Sequence, residues 1–174
     1  MKRKFNSYPL TLVMILFSAW EVQATGINVE VRDITEQGSG TRLGTVQITE
    51  SKDGLVLTPY LKGLTPGEHG FHVHENGRCD AGEKDGKPVA GLKAGGHYDP
   101  DHSGQHQGPE GQGHRGDLPR LVVNADGRAE QPVQSGRLQL SELSKRSLMI
   151  HEGNDNYGDQ PGGARIACGI IGGP

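Results

Sequence analysis

Between Cys79 and Asp117 the chain runs for about forty residues with almost no apolar content, yet this stretch holds four of the eight histidines. A structureless loop of that length is uncommon in a compact domain unless a function or a metal ion organises it. Hydrophobic burial cannot order a segment this polar, so the surrounding fold has to present its side chains to something bound. The histidines sit beside glycines, in Gly95-Gly96-His97, His106-Gln107-Gly108 and Gly113-His114-Arg115-Gly116-Asp117. Glycine permits the tight turns and close backbone approach that fold such a loop inward. Three imidazoles and one carboxylate form a closed tetrahedral shell suited to zinc, so the segment reads as a structural metal loop.

The remainder supplies the scaffold. Hydrophobic residues make up 32% and glycine numbers 28, a balance that favours short strands and many turns over long helices. Strand-type runs are expected from Ile27 to Val31, Leu43 to Thr49, Leu55 to Leu61, His69 to Glu75, Leu121 to Asn124, Ser147 to His151 and Arg165 to Ile171. Turn signals such as Asp53-Gly54, Thr65-Pro66-Gly67 and Asp126-Gly127 separate apolar segments. A length of 174 residues suits one domain, and an all-β, hairpin-rich sandwich or barrel follows. The segment from Leu138 to Lys145 can carry one helical turn, with Ser141 as the expected cap.

Two further histidine clusters lie on strands. His72 and His74 alternate along one strand and so share a face, the simplest way to aim two imidazoles at one ion. His151 ends another strand, just before a loop rich in Gly, Asn and Asp. Together with His97, His106, His114 and Asp117 these make seven groups, one short of two four-coordinate sites. An imidazole bridging two cations makes up the difference, so two neighbouring metal sites are the hypothesis. Residue patterns alone leave rivals open: a zinc hydratase or hydrolase with a metal-bound hydroxide, or a metal-buffering module without turnover.

Lys2, Arg3 and Lys4 precede an apolar run from Leu10 to Trp20, followed by Val22, Gln23 and Ala24, so residues 1–24 read as a secretory signal peptide ahead of a 25–174 domain. The apolar run falls short of the roughly 20 residues that span a bilayer, and no cysteine near the cut offers a lipid anchor, so no membrane association is expected after cleavage. Cleavage after Ala24 removes three cationic residues and Glu21, which takes the net charge from −3 to −5. Scattered Lys and Arg leave no footprint for nucleic acid. Export into an oxidising compartment predicts one disulfide from the two cysteines, Cys79 and Cys168, against the alternative of two buried thiols.

The motifs Gly70-Phe71-His72-Val73-His74, Gly96-His97, His106-x-Gly108-Pro109, His114-x-Gly116-Asp117 and Gly162-Gly163-Ala164-Arg165-Ile166-Ala167-Cys168-Gly169, in this order, resemble those of the copper,zinc superoxide dismutases. Lys84-Asp85-Gly86-Lys87 and the Gly95-Gly96 pair resemble the periplasmic bacterial branch. The resemblance implies a Greek-key β-sandwich or barrel of about eight antiparallel strands with long metal-binding loops. It implies one copper held by His72, His74, His97 and His151, and one zinc held by His97, His106, His114 and Asp117, with His97 shared and protonated in turn. It also implies that Asp155 tethers a copper ligand to a zinc ligand, that Arg165 guides and stabilises superoxide beside copper, and that Cys79 pairs with Cys168. The implied activity converts superoxide to oxygen and hydrogen peroxide and protects the cell envelope from a periplasmic location, with monomer or homodimer left open. His69 is expected to be structural, and His102 is given no role. The loop between His151 and Arg165 is shorter than the resemblance leads one to expect, which puts steering on Lys84 or Lys87 as an alternative.

Overall fold

The structure, a computed structural model, describes residues 26–172; the expected signal peptide lies outside them. Six long strands carry the frame: β1 (Gly26–Thr35), β2 (Gly38–Ser51), β3 (Gly54–Lys62), β5 (Phe71–His74), β11 (Arg146–His151) and β12 (Arg165–Ile171). Shorter ones are β4 (Gly67–His69), β6 (Gly82–Lys84), β7 (Lys87–Val89), β8 (Leu121–Val123), β9 (Arg128–Ala129) and β10 (Val133–Ser135). Single 3₁₀ turns occupy Leu92–Ala94 and Leu140–Glu142. Eight strands form one curled antiparallel sheet, β10-β3-β2-β1-β12-β11-β5 with β9 also on β3, so the all-β expectation holds. β3 and β5 are close in sequence yet far apart along this path, while the first strand pairs with the last, the non-local pairing of a Greek-key arrangement.

Alternation drives the core. In β3, Leu55, Leu57 and Leu61 are buried while Val56, Thr58 and Tyr60 face outward. Val29 and Val31 of β1 and Val46 and Ile48 of β2 join them around Phe71, Val73, Leu118, Leu121, Leu148 and Ile150. A second, smaller cluster of Ile34, Ala94 and Met149 surrounds Cys79 and Cys168, which are bonded with their Cα atoms 5.7 Å apart.

β5 lies at the end of the sheet path, and this decides where the site sits. Phe71 and Val73 point into the core, while His72 and His74 point to the other face. The register pairs His72 with Met149 and His74 with Ser147, so His151 of β11 falls on the same face. The polar loop covers that open strand: Tyr98 N–H donates to the Val73 carbonyl at 2.8 Å, Val73 N–H to Gly116 at 2.8 Å and Gly116 N–H to Tyr98 at 2.9 Å. A Cβ at Gly116 would run into the Val73 carbonyl, so only glycine allows this close approach. Edge pairing thereby brings His97 opposite His74 and Asp117 opposite His72.

Several local expectations shift. The expected strand from His69 to Glu75 is broken at Gly70, whose N–H and carbonyl pair instead with Gly153 and His151. The helical turn between Leu138 and Lys145 exists, but Gln139, and not Ser141, caps it through a reciprocal box with Glu142. The long polar segment also contains a small ribbon, β6 on β7, turned by Asp85 and Gly86, both at positive φ.

Candidate metal centre

Three of the histidines that face this site, His72, His74 and His151, each have one ring nitrogen engaged by a protein acceptor and the other buried without a partner. His74 Nδ1 donates to the Gly95 carbonyl at 3.0 Å, leaving Nε2 buried without a partner. His151 Nδ1 donates to the Gly163 carbonyl at 2.9 Å, again leaving Nε2. His72 is turned the other way: Nε2 donates to Asp155 at 2.7 Å, and Nδ1 is the orphan. These three and His97 place ligand atoms within 4.8 Å of one another. Because a backbone carbonyl or carboxylate fixes each tautomer, the free nitrogen is preset as an electron-pair donor.

A second group converges on Asp117. Its carboxylate meets His97 Nδ1 at 2.8 Å, His106 Nδ1 at 3.0 Å and His114 Nδ1 at 3.4 Å. The His106 nitrogen is aimed past the oxygen and makes no hydrogen bond there, and His114 Nδ1 is likewise unpartnered. Ligand atoms of His72, His97, His106 and Asp117 lie within 4.8 Å of one another, a set that does not include His114. Arg137 holds the His114 segment from the barrel side, donating to the Gly113 carbonyl at 2.6 Å and the His114 carbonyl at 3.1 Å.

Asp155 joins the two groups. It is fully buried, and its two oxygens accept from His72 Nε2 at 2.7 Å and His106 Nε2 at 2.8 Å. Burial disfavours the charged form of His72, His74, His97 and His151. It lowers His72 to about 3 and His151 to about 4, and holds His74 and His97 below their ordinary range. Burial also acts against His106, but the neighbouring Asp117 carboxylate and the hydrogen bond to Asp155 outweigh it and raise the ring to about 9. Burial would raise both carboxyls, yet their histidine partners hold them well below the usual carboxylate range.

Arg165 pairs in register with His151. Its guanidinium donates to Gly91 at 2.6 Å and Gly95 at 2.7 Å, and its charge helps lower both His74 and His151. The Cys79–Cys168 bond ties the segment that supplies those carbonyls to the strand that carries Arg165. Lys84 and Lys87 are exposed, paired across the β6–β7 ribbon. His69 is buried outside the cluster, its ring between the His151 and Thr65 carbonyls at 2.7 Å each, which fits the structural role expected of it. His102 is exposed, at positive φ, and joins neither group. The carbonyls of Gly91, Gly95 and Gly163 were not foreseen, since only tertiary packing gives a backbone oxygen a role.

The family model for copper/zinc superoxide dismutase matches residues 42–171. The chain belongs to this family. A copper,zinc superoxide dismutase 2 of Salmonella typhimurium is 53% identical over 169 residues, covering 93% of this chain and 98% of the relative. That of Escherichia coli K12 is 50% identical over 165 residues, covering 91% and 95%. The solved copper,zinc superoxide dismutase of Brucella abortus superposes with a TM-score of 0.82 at 51% identity, covering 84% of this chain and 99% of that one. A monomeric copper,zinc superoxide dismutase from Salmonella enterica gives 0.77 at 54% identity, with the same coverage. This superoxide dismutase therefore catalyses conversion of superoxide to oxygen and hydrogen peroxide with copper and zinc. The residues present fit both ions: buried nitrogens of His72, His74, His106, His114 and His151 lack any partner within the protein, a costly state that an ion relieves.

Proposed function

We propose that copper is held by His72 Nδ1, His74 Nε2, His151 Nε2 and His97, and zinc by His106, His114, Asp117 and the same His97, which bridges the two. The observation that carries this reading is the set of orphaned nitrogens, which for His72, His74, His106 and His151 are left free by a hydrogen bond on the opposite side of the ring. His97 belongs to both groups and engages Asp117 through Nδ1, so its Nε2 remains for the copper side. Copper, when bound, supplies the one-electron oxidation and reduction that dismutation requires, while zinc supplies a fixed charge without redox change.

The chain's own groups do the rest. Arg165 attracts the superoxide anion and holds it beside His74 and His151, a role made necessary by the net negative charge of the protein. His97 Nε2 carries one of the protons consumed in forming peroxide. Asp155 keeps His72 and His106 in fixed tautomers. The N-terminal segment exports the enzyme to the periplasm, where it protects the cell envelope; release of residues 1–24 should appear in the mass of the protein recovered from that compartment.

The ligand assignment is tested by metal analysis of reconstituted variants. The wild type should hold about one copper and one zinc per chain and dismute superoxide rapidly. His74→Ala should lose copper and retain zinc, His114→Ala the reverse, and His97→Ala should weaken both. Full zinc affinity in His114→Ala would instead put His72 in the zinc set.

A further inference from the structure

Asp155 reaches both metal groups from a loop that is short and contains few apolar residues, so something has to hold it there. Two side chains do. Arg120, three residues past Asp117, donates from Nε to the Asp155 carbonyl at 2.7 Å. Its guanidinium lies 4.4 Å from the centre of the Tyr157 ring, and Nη1 reaches Glu68 at 3.1 Å. Tyr157 closes the circuit: its hydroxyl accepts from Arg120 N–H at 3.1 Å, and its own N–H donates to Asp155 Oδ1 at 2.7 Å. Tyr157 sits at φ 58°, a left-handed conformation that a bulky side chain rarely adopts. Its ring also packs over Gly108, where a Cβ would come within 2.6 Å of it.

Tyr157 thus touches the loop just after His106, the chain just after Asp117, and the residue that hydrogen-bonds His72 and His106. We propose that Arg120 and Tyr157 form a clasp that positions Asp155 and so sets how tightly zinc is retained. This deepens the ligand assignment above and rests on it. Neither residue touches an ion; both act through Asp155, as outer partners that orient a ligand do.

The test is zinc release from the fully metallated protein into a chromophoric chelator at a temperature well below unfolding, alongside the visible spectrum of cobalt placed in the zinc site. Arg120→Ala should speed release by about tenfold and alter the cobalt bands, with Tyr157→Phe intermediate because it keeps the ring and loses only the hydroxyl. In an Asp155→Ala background, Arg120→Ala should add almost nothing. Equal acceleration in both backgrounds would reduce the clasp to general loop packing and overturn the proposal, as would unchanged release in both single variants. Should Arg120→Ala fail to fold, Tyr157→Phe and Arg120→Lys carry the same comparison. A wild-type protein that takes up no zinc would overturn the ligand assignment and the clasp together, whereas unchanged release from a zinc-loaded protein defeats the clasp alone.

Discussion

His72, His74, His106 and His151 are each aimed by the bond on the far side of the ring, which makes single residues readable experiments. Arg165 spans two carbonyls with its planar fork, a geometry lysine cannot reproduce. Arg165→Ala should lower kcat/KM about tenfold at low salt with metal content unchanged, and Arg165→Lys should recover part of the loss. Pulse radiolysis across ionic strengths checks this, and a lysine variant equal to wild type would reduce the residue to its charge. His106 offers a second test. Its ring is raised to about 9 in the metal-free state, above the ordinary 6.5, so the contact with Asp117 and Asp155 stabilises fully below pH 6.5 and is lost as pH rises through about 9. On the proposed assignment, zinc would displace that proton. Calorimetry at pH 7.5 in buffers of different ionisation heat should therefore show release of about one proton on zinc binding, and none in His106→Ala.

At the level of elements, the centre exists because β5 is left at the end of the sheet and the polar loop pairs along it. The strand period made His72 and His74 legible as a pair, and the glycines marked His97, His106 and His114 as inward-turning. What could not be read was the backbone pairing that places the loop, because a carbonyl such as Gly95 carries no signature in its own side chain. The same limit explains Gln139 in place of Ser141: the cap depends on where Glu142 points, and its side chain turns back to the Gln139 N–H. The Cys79–Cys168 bond joins two elements across 89 residues of sequence. Replacing both cysteines by serine should cost about 4 to 5 kcal/mol by the loop-entropy argument and, by loosening Gly91 and Gly95 around Arg165, lower kcat/KM as well. Denaturant titration and steady-state rates on the same sample separate the two effects; an unchanged midpoint would remove the bond from the stability argument.

Across the whole molecule, two kinds of order meet. The barrel has an apolar core of its own, whereas the loop from Cys79 to Asp117 is held by edge pairing, the disulfide and the contacts of the histidine cluster. Removing both metals should leave the barrel folded but lower Tm by about 10 °C or more, since an ion at a thousand times its Kd adds about 4 kcal/mol. Hydrogen exchange should accelerate first around His106 and His114 and least in β2 and β3; uniform acceleration would show the loop and barrel to be one cooperative unit. The sequence by itself determined the strand faces and the inventory of side chains able to hold a metal, because alternation and residue chemistry are local properties. The tertiary structure alone decided which ring nitrogen is free, which carbonyls hold Arg165, and that Arg120 meets Tyr157 over Asp155, because each depends on segments far apart in the chain arriving at one place.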